Sequence, residues 1–158
     1  MIHAYVARLI RPLFVATATL VLATGASAAP NDNTRDNNPL MAERWKTRPV
    51  VIIAPSTTDP LLTGQQDVLQ LPANQAALRK REMVVYTVVG DLAQRDGEPL
   101  SVEQARALRK ALDVKDGAPA TVFLVGKDGG TKMARRDVVG AAELFGMVDA
   151  MPMMRGRD

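Results

Sequence analysis

The chain has no cysteine, and its one histidine is His3. Without thiols it forms no disulfide and offers no thiolate as nucleophile or ligand. Without an imidazole beyond residue 3, Ser-His and Cys-His couples and the usual His or Cys zinc sites are excluded from the rest of the chain. Aromatic residues are also scarce, with three Phe, two Tyr and one Trp in 158 residues, so the core has to be built from aliphatic side chains. Charge of either sign is nearly balanced. The formal +3 comes from 20 Lys and Arg against 17 Asp and Glu, and removing Arg8 and Arg11 would reduce it to +1. That leaves no broad basic field for nucleic acid or an anionic membrane surface. Long apolar runs are missing too. Leu13 to Ala23 is interrupted by Thr17 and Thr19 and is too short for a comfortable membrane span.

That short run nevertheless sits between a basic start, Arg8 and Arg11, and the small-residue triplet Ala26-Ser27-Ala28, the three-part composition of a secretory signal peptide. Residues 1–28 are expected to be removed after Ala28. The protein is then expected to be periplasmic or secreted, with no stable membrane anchor. The remaining 130 of the 158 residues are enough for one domain and too few for two ordinary ones. Residues 29–39 are almost wholly polar, bracketed by Pro30 and Pro39, and are read as a disordered linker. The folded domain is expected over 40–152, with 153–158 as a flexible tail.

Within the domain, Val50 to Ala54 is a continuous, mostly β-branched apolar run, the pattern of a strand covered on both faces. Asp59-Pro60 is a helix start, a side-chain cap followed by a residue whose missing N–H costs nothing there. The helix that follows is weakened by Gly64 and bent at Pro72, ending near Arg81. Met83 to Val89 is a second apolar strand, followed by a charged loop through Pro99. Ser101 and Gln104 have capping-box spacing ahead of a helix that stops near Asp113. Thr121 to Val125 and Thr131 to Ala134 flank Lys127-Asp128-Gly129-Gly130 as a hairpin, with Gly126 as a candidate bulge. Ala141, Leu144, Phe145, Val148 and Met151 are the apolar stripe of a closing helix ended by Pro152.

The order is strand, helix, strand, helix, strand, strand, helix. A helix crosses between the first two strands, so they are parallel, while the hairpin is antiparallel, giving an α/β fold on a central mixed sheet. That order is the core of the thioredoxin fold. RWKTRP (44–49), APSTTDP (54–60), REMVVY (81–86), LVGKDGGTK (124–132) and DAMPM (149–153) carry a resemblance to one family. It is a thioredoxin-like domain of unknown function that lacks the redox cysteine pair, found in small exported bacterial proteins and in vertebrate sushi-repeat and coiled-coil extracellular matrix proteins. The resemblance implies the fold without an assigned activity.

In a thioredoxin the redox pair lies where the first core strand meets its helix, because a helix N-terminus stabilises a thiolate. Ser56, Thr57, Thr58 and Asp59 occupy that place here, so thiol–disulfide exchange is excluded. The cis-proline position opposite falls on Pro119 or on Thr121. Open α/β sheets bind ligands beyond the carboxyl ends of their parallel strands, which makes Ser56, Thr57, Asp59, Gly90 and Asp91 one candidate ligand pocket. The ordinary reading is that Asp59 caps a helix, the hydroxyls satisfy turn backbone, and Asp91 ends a strand. Arg48 has paired donors for an anionic ligand. Trp45, beside Lys46 and Arg48, is expected to plug the bottom of the core, with a partner-binding aromatic as the alternative. No cofactor is implied. The reading is a non-redox binding or structural module for an unknown protein partner or small anionic ligand. Two alternatives are an enzyme working through Asp59, Asp91 and the hydroxyls, and copper(I) capture by Met147, Met151, Met153 and Met154.

Overall fold

β1 (Arg48–Ala54) is buried along all seven of its residues, as a strand with no charged residue after its first position and neighbours on both faces should be. In the computed structural model, which describes residues 37–151, β1 is the hub of the sheet. β2 (Met83–Val89) pairs parallel with it, from Arg48 opposite Met83 to Ala54 opposite Val89. β5 (Thr121–Val125) pairs antiparallel on its other side, with Ile53 opposite Thr121. The crossover between β1 and β2 is α2 (Pro60–Gln70) followed by α3 (Pro72–Lys80). The expected bend is thus a full break, because Pro72 has no N–H to continue the first helix and starts the second.

Asp59 caps α2, its carboxylate accepting the Leu61 N–H at 2.9 Å. α4 (Val102–Ala111) opens on a complete capping box, in which the Ser101 hydroxyl accepts the Gln104 N–H and the Gln104 amide accepts the Ser101 N–H. β6 (Thr131–Arg135) returns from the Lys127–Gly130 turn, with a register irregularity at Leu124 and Val125 beside Gly126. α5 (Ala141–Asp149) closes the chain, ending three residues short of Pro152.

Three sequence expectations need correction. The segment after β2 is not a charged loop. It folds back as β3 (Leu92–Arg95) and β4 (Glu98–Pro99), turning at Asp96 and Gly97 with φ of 50° and 90°. Among the described residues the sheet therefore has six strands, in the order β4-β3-β2-β1-β5-β6. Asp-Gly is the favoured pair for a two-residue hairpin turn, since both positions need positive φ. Next, a short helix, α1 (Pro39–Glu43), precedes β1, with the Asn38 side chain accepting the Leu40 N–H at 3.1 Å. Asn38 and Pro39, assigned to the linker, therefore belong to the folded part. Finally, Trp45 is 57% exposed with a φ of 64°, held by its own N–H donated to the Lys127 carbonyl at 2.7 Å. It is outside the core, and the cation over its ring is Arg44, 5.8 Å away, rather than Lys46 or Arg48.

Aliphatic residues fill both faces. α2, α3 and α5 cover one, packing Leu62, Leu69, Leu78, Leu144 and Val148 on Val50, Ile52 and Val122. α1 and α4 cover the other, packing Leu40, Ala105 and Leu108 on Val51, Ile53, Tyr86 and Val88. This is the thioredoxin-like arrangement, with the β3–β4 hairpin added beyond β2. The expected signal peptide, the linker up to residue 36 and the tail lie outside the described residues.

Candidate functional site

β1 and β2 are parallel and in register, so their carboxyl ends bring Ser56, Thr57 and Asp59 to the same edge as Gly90 and Asp91. The hydroxyls of this edge are exposed and local: Ser56 Oγ lies 3.3 Å from Thr58 Oγ1. The two carboxylates do not converge. Asp59 turns to the N-terminus of α2, on one face of the sheet. Asp91 is held by α4, on the other face, accepting from Arg106 Nε at 3.2 Å and Nη2 at 2.9 Å, with Arg109 Nη2 at 3.6 Å. The Arg106 hydrogen bonds hold the Asp91 carboxyl below its usual range, so it stays an anion with its charge already matched. The ordinary reading of these two residues accounts for what they touch. Thr121 opens β5 with its hydroxyl donated to the Pro119 carbonyl at 3.0 Å, and among the described residues every peptide bond, that of Pro119 included, is trans.

Arg48 is the first residue of β1, at the opposite end of the sheet. Its guanidinium donates to the Arg81 carbonyl at 3.1 Å and lies 3.9 Å from Glu82. Glu82 also pairs with Lys127, and that hydrogen bond is the main reason its carboxyl falls below the ordinary range. Arg81 meets Asp149 through two donors at 2.8 and 2.7 Å and stacks 4.7 Å over the Phe145 ring. Arg48 is therefore spent inside a closed charge cluster and does not join the carboxyl-end residues, a separation that one sequence cannot reveal. Met147 and Met151 pack against the core on the α5 side, whereas Met153 and Met154 lie outside the described residues.

Two features escaped the sequence. One is a buried polar network beneath α1. The Glu43 carboxylate accepts from Tyr86 Oη and Arg95 Nε, each at 2.8 Å, and from the Thr47 hydroxyl. Burial pushes Glu43 up, but hydrogen bonds from Arg95, Thr47 and Tyr86 outweigh it and hold it below its ordinary value. Burial first, and then the hydrogen bond to Glu43, push the Tyr86 phenol well above its ordinary value. Every group has a partner, so the network locks α1 to β2 and β3 and leaves nothing to offer a ligand.

The other feature is a groove of about 420 Å³ beside the β3–β4 hairpin, between that hairpin and the α2–α3 break. It exists because the hairpin carries the sheet past the edge of its helices. Leu69, Leu78, Met83 and Val85 supply apolar floor and walls, while Gln66 and Gln70 of α2, Gln75 and Arg79 of α3, and Thr87 and Gln94 of the sheet supply polar groups. The volume falls within the range of small-molecule sites, roughly 300–1,000 Å³. The hairpin that turns at 96–97 places Gln94 beside Thr87.

Among the described residues, a six-stranded mixed sheet that contains the order β2-β1-β5-β6, helices on both faces, and hydroxyls in place of thiols at the β1–α2 turn define a thioredoxin-like domain without redox cysteines. The chain belongs to the DUF4174 family, described as a domain of unknown function, which matches residues 39–157. A search of curated proteins gave no match. Among solved structures, Plasmodium yoelii Prx1a, modified at its N-terminus and described as forming an artifactual octamer, is similar at 11% identity with a TM-score of 0.47, over 70% of this chain and 76% of its own.

Proposed function

We propose that the chain is an exported, non-redox binding module of thioredoxin type, which holds a small anionic ligand or a protein partner without turning it over. The observation that supports this most directly is the state of the β1–α2 turn. Ser56, Thr57 and Thr58 are exposed there with neither thiol nor imidazole, and Asp59 is engaged in capping. A hydroxyl with an ordinary pKa and no neighbouring base is a poor nucleophile. Hydrolysis by Asp59 and Asp91 acting together loses support because the two carboxylates are bound to helices on opposite faces. The composition of residues 1–28 supports export.

The test is a thermal-shift screen of the protein against sugars, carboxylates, nucleotides and metal ions, run beside insulin reduction and ester hydrolysis assays. A ligand at 100 times its dissociation constant stabilises by roughly 2.7 kcal/mol, enough to move the unfolding temperature clearly. Binding without turnover is the expected result, and turnover that disappears in Asp59→Ala would overturn the reading. Without such turnover, Asp59→Ala should cost only the ~1 kcal/mol of a lost helix cap.

A further inference from the structure

The groove beside the β3–β4 hairpin gathers several polar side chains that no other group among the described residues engages. The ion-pair clusters at the two ends of the sheet match each guanidinium to a carboxylate or carbonyl. In the groove, the side chains of Gln66, Gln70, Gln94, Thr87 and Arg79 have no hydrogen-bond or ion-pair partner among the described residues. Gln75 gives one N–H to the Leu69 carbonyl at 2.8 Å and keeps its own carbonyl oxygen free. The other charge in the groove, Asp96, is already used: its Oδ1 accepts the Val85 N–H at 2.8 Å and its Oδ2 faces Arg95 at 3.4 Å.

We infer that this groove is a binding site for a small monocarboxylate polyol of the sugar-acid class. The inference rests on the reading of the domain as a binding module and names what it binds. Each side-chain amide has a donor and an acceptor on neighbouring atoms, the pairing that adjacent hydroxyls require. Arg79 has paired donors in the geometry of a carboxylate. With Asp96 engaged by the protein, Arg79 is the one free charge, which fits a single negative group rather than a zwitterion or a polyanion. The apolar floor of Leu69, Met83 and Val85 suits the C–H face of a sugar ring. No aromatic side chain lines the groove, so a nucleobase has no platform to stack on.

Sodium D-glucuronate titrated into the full chain, followed by calorimetry and by amide NMR, tests the assignment, with D-glucose and sodium acetate as controls. Saturable binding is expected, with perturbed amides concentrated in 66–70, 75–79 and 94–97. Arg79→Gln should weaken it at least tenfold, since a hydrogen bond to a charged group is worth about 1.5–3 kcal/mol. Arg79→Lys should recover part of the loss, and glucose and acetate should each bind at least tenfold more weakly than glucuronate. Arg79 is exposed, so neither variant should disturb the fold. Glucose binding as tightly as glucuronate, or Arg79→Gln binding undiminished, would overturn the sugar-acid assignment while leaving the binding-module reading intact. No perturbation by glucuronate up to about 50 mM, far above a millimolar dissociation constant, would also overturn it. The wider reading would then depend on the thermal-shift screen and on protein partners.

Discussion

Gln65 and Val139 exchange two hydrogen bonds in the interior. The Gln65 side chain donates to the Val139 carbonyl at 3.1 Å and accepts the Val139 N–H at 2.7 Å, and Gln65 is fully buried. An amide side chain here imitates a strand, satisfying the backbone of the segment that leads into α5 and fixing it to the middle of α2.

Gln65→Leu keeps the volume but leaves both backbone groups of Val139 buried and unpaired. An orphaned buried donor or acceptor costs about 1–3 kcal/mol, so the variant should lose roughly 2–6 kcal/mol, seen as a lower urea midpoint at unchanged slope. A loss below the cost of one orphaned group would mean that water reaches the pair.

Gly64 has a neighbouring constraint. A Cβ built there lies 3.0 Å from Val138 Cγ2, which accounts for a glycine inside α2 despite its poor helix propensity. Gly64→Ala should gain little alone. Combined with Val138→Ala, which clears the contact, it should recover up to the ~1 kcal/mol of helix propensity. A double-mutant cycle measures the coupling, and strict additivity would show that the contact is relieved at no cost.

Glu43 ties stability to acidity. Its folded pKa lies below the ordinary 4.5, so the stabilisation is fully present above the unfolded value and is lost as pH falls through the folded one. The denaturation midpoint should drop on acidification below about pH 4.5, and Glu43→Gln should lower it at neutral pH while flattening part of the acid slope. Tyr86→Phe, which removes one donor to the carboxylate, should cost about 1.5–3 kcal/mol. An unchanged acid slope in Glu43→Gln would assign the loss to the exposed pairs of Asp91 with Arg106, Asp128 with Lys132 and Asp149 with Arg81 instead.

Trp45 is the single tryptophan of the sequence, so fluorescence excited at the red edge, where tyrosine does not absorb, reports on it alone. Its exposure predicts emission nearly as red as that of the unfolded chain and ready quenching by acrylamide. Blue-shifted, protected emission would show that another surface covers the ring.

The sequence made the strands of the inner sheet and the longer helices legible because each signal is local: β-branched runs for β1 and β2, Asp59-Pro60 for α2, Ser101 with Gln104 for α4, and Asp128-Gly129 for the β5–β6 turn. The second hairpin was equally local at Asp96-Gly97 but was hidden by its composition, since Gln94, Arg95 and Glu98 lack the alternating apolar residues that mark a strand. Trp45 was misplaced because apolar size favours burial, whereas its backbone conformation and the Arg44 beside it turn it outward. The groove was not legible at all. Gln66, Gln75 and Gln94 belong to no sequence motif and come together only through the α2–α3 break and the added hairpin, and Arg48 looked available until the β1–β2 register put it beside Arg81 and Glu82.

The complete burial of β1 has a consequence before folding is finished. Val50 to Ala54 carries no charge and is rich in β-branched residues, the composition that drives self-association into cross-β stacks whenever such a stretch is exposed. In the native sheet it lies between β2 and β5, where no second molecule reaches it. In the newly made chain its protection comes from its flanks: Pro49 and Pro55 each withhold a backbone donor, and Arg48 places a charge at one end. These residues act as gatekeepers, keeping the segment from pairing with copies of itself until its proper neighbours arrive.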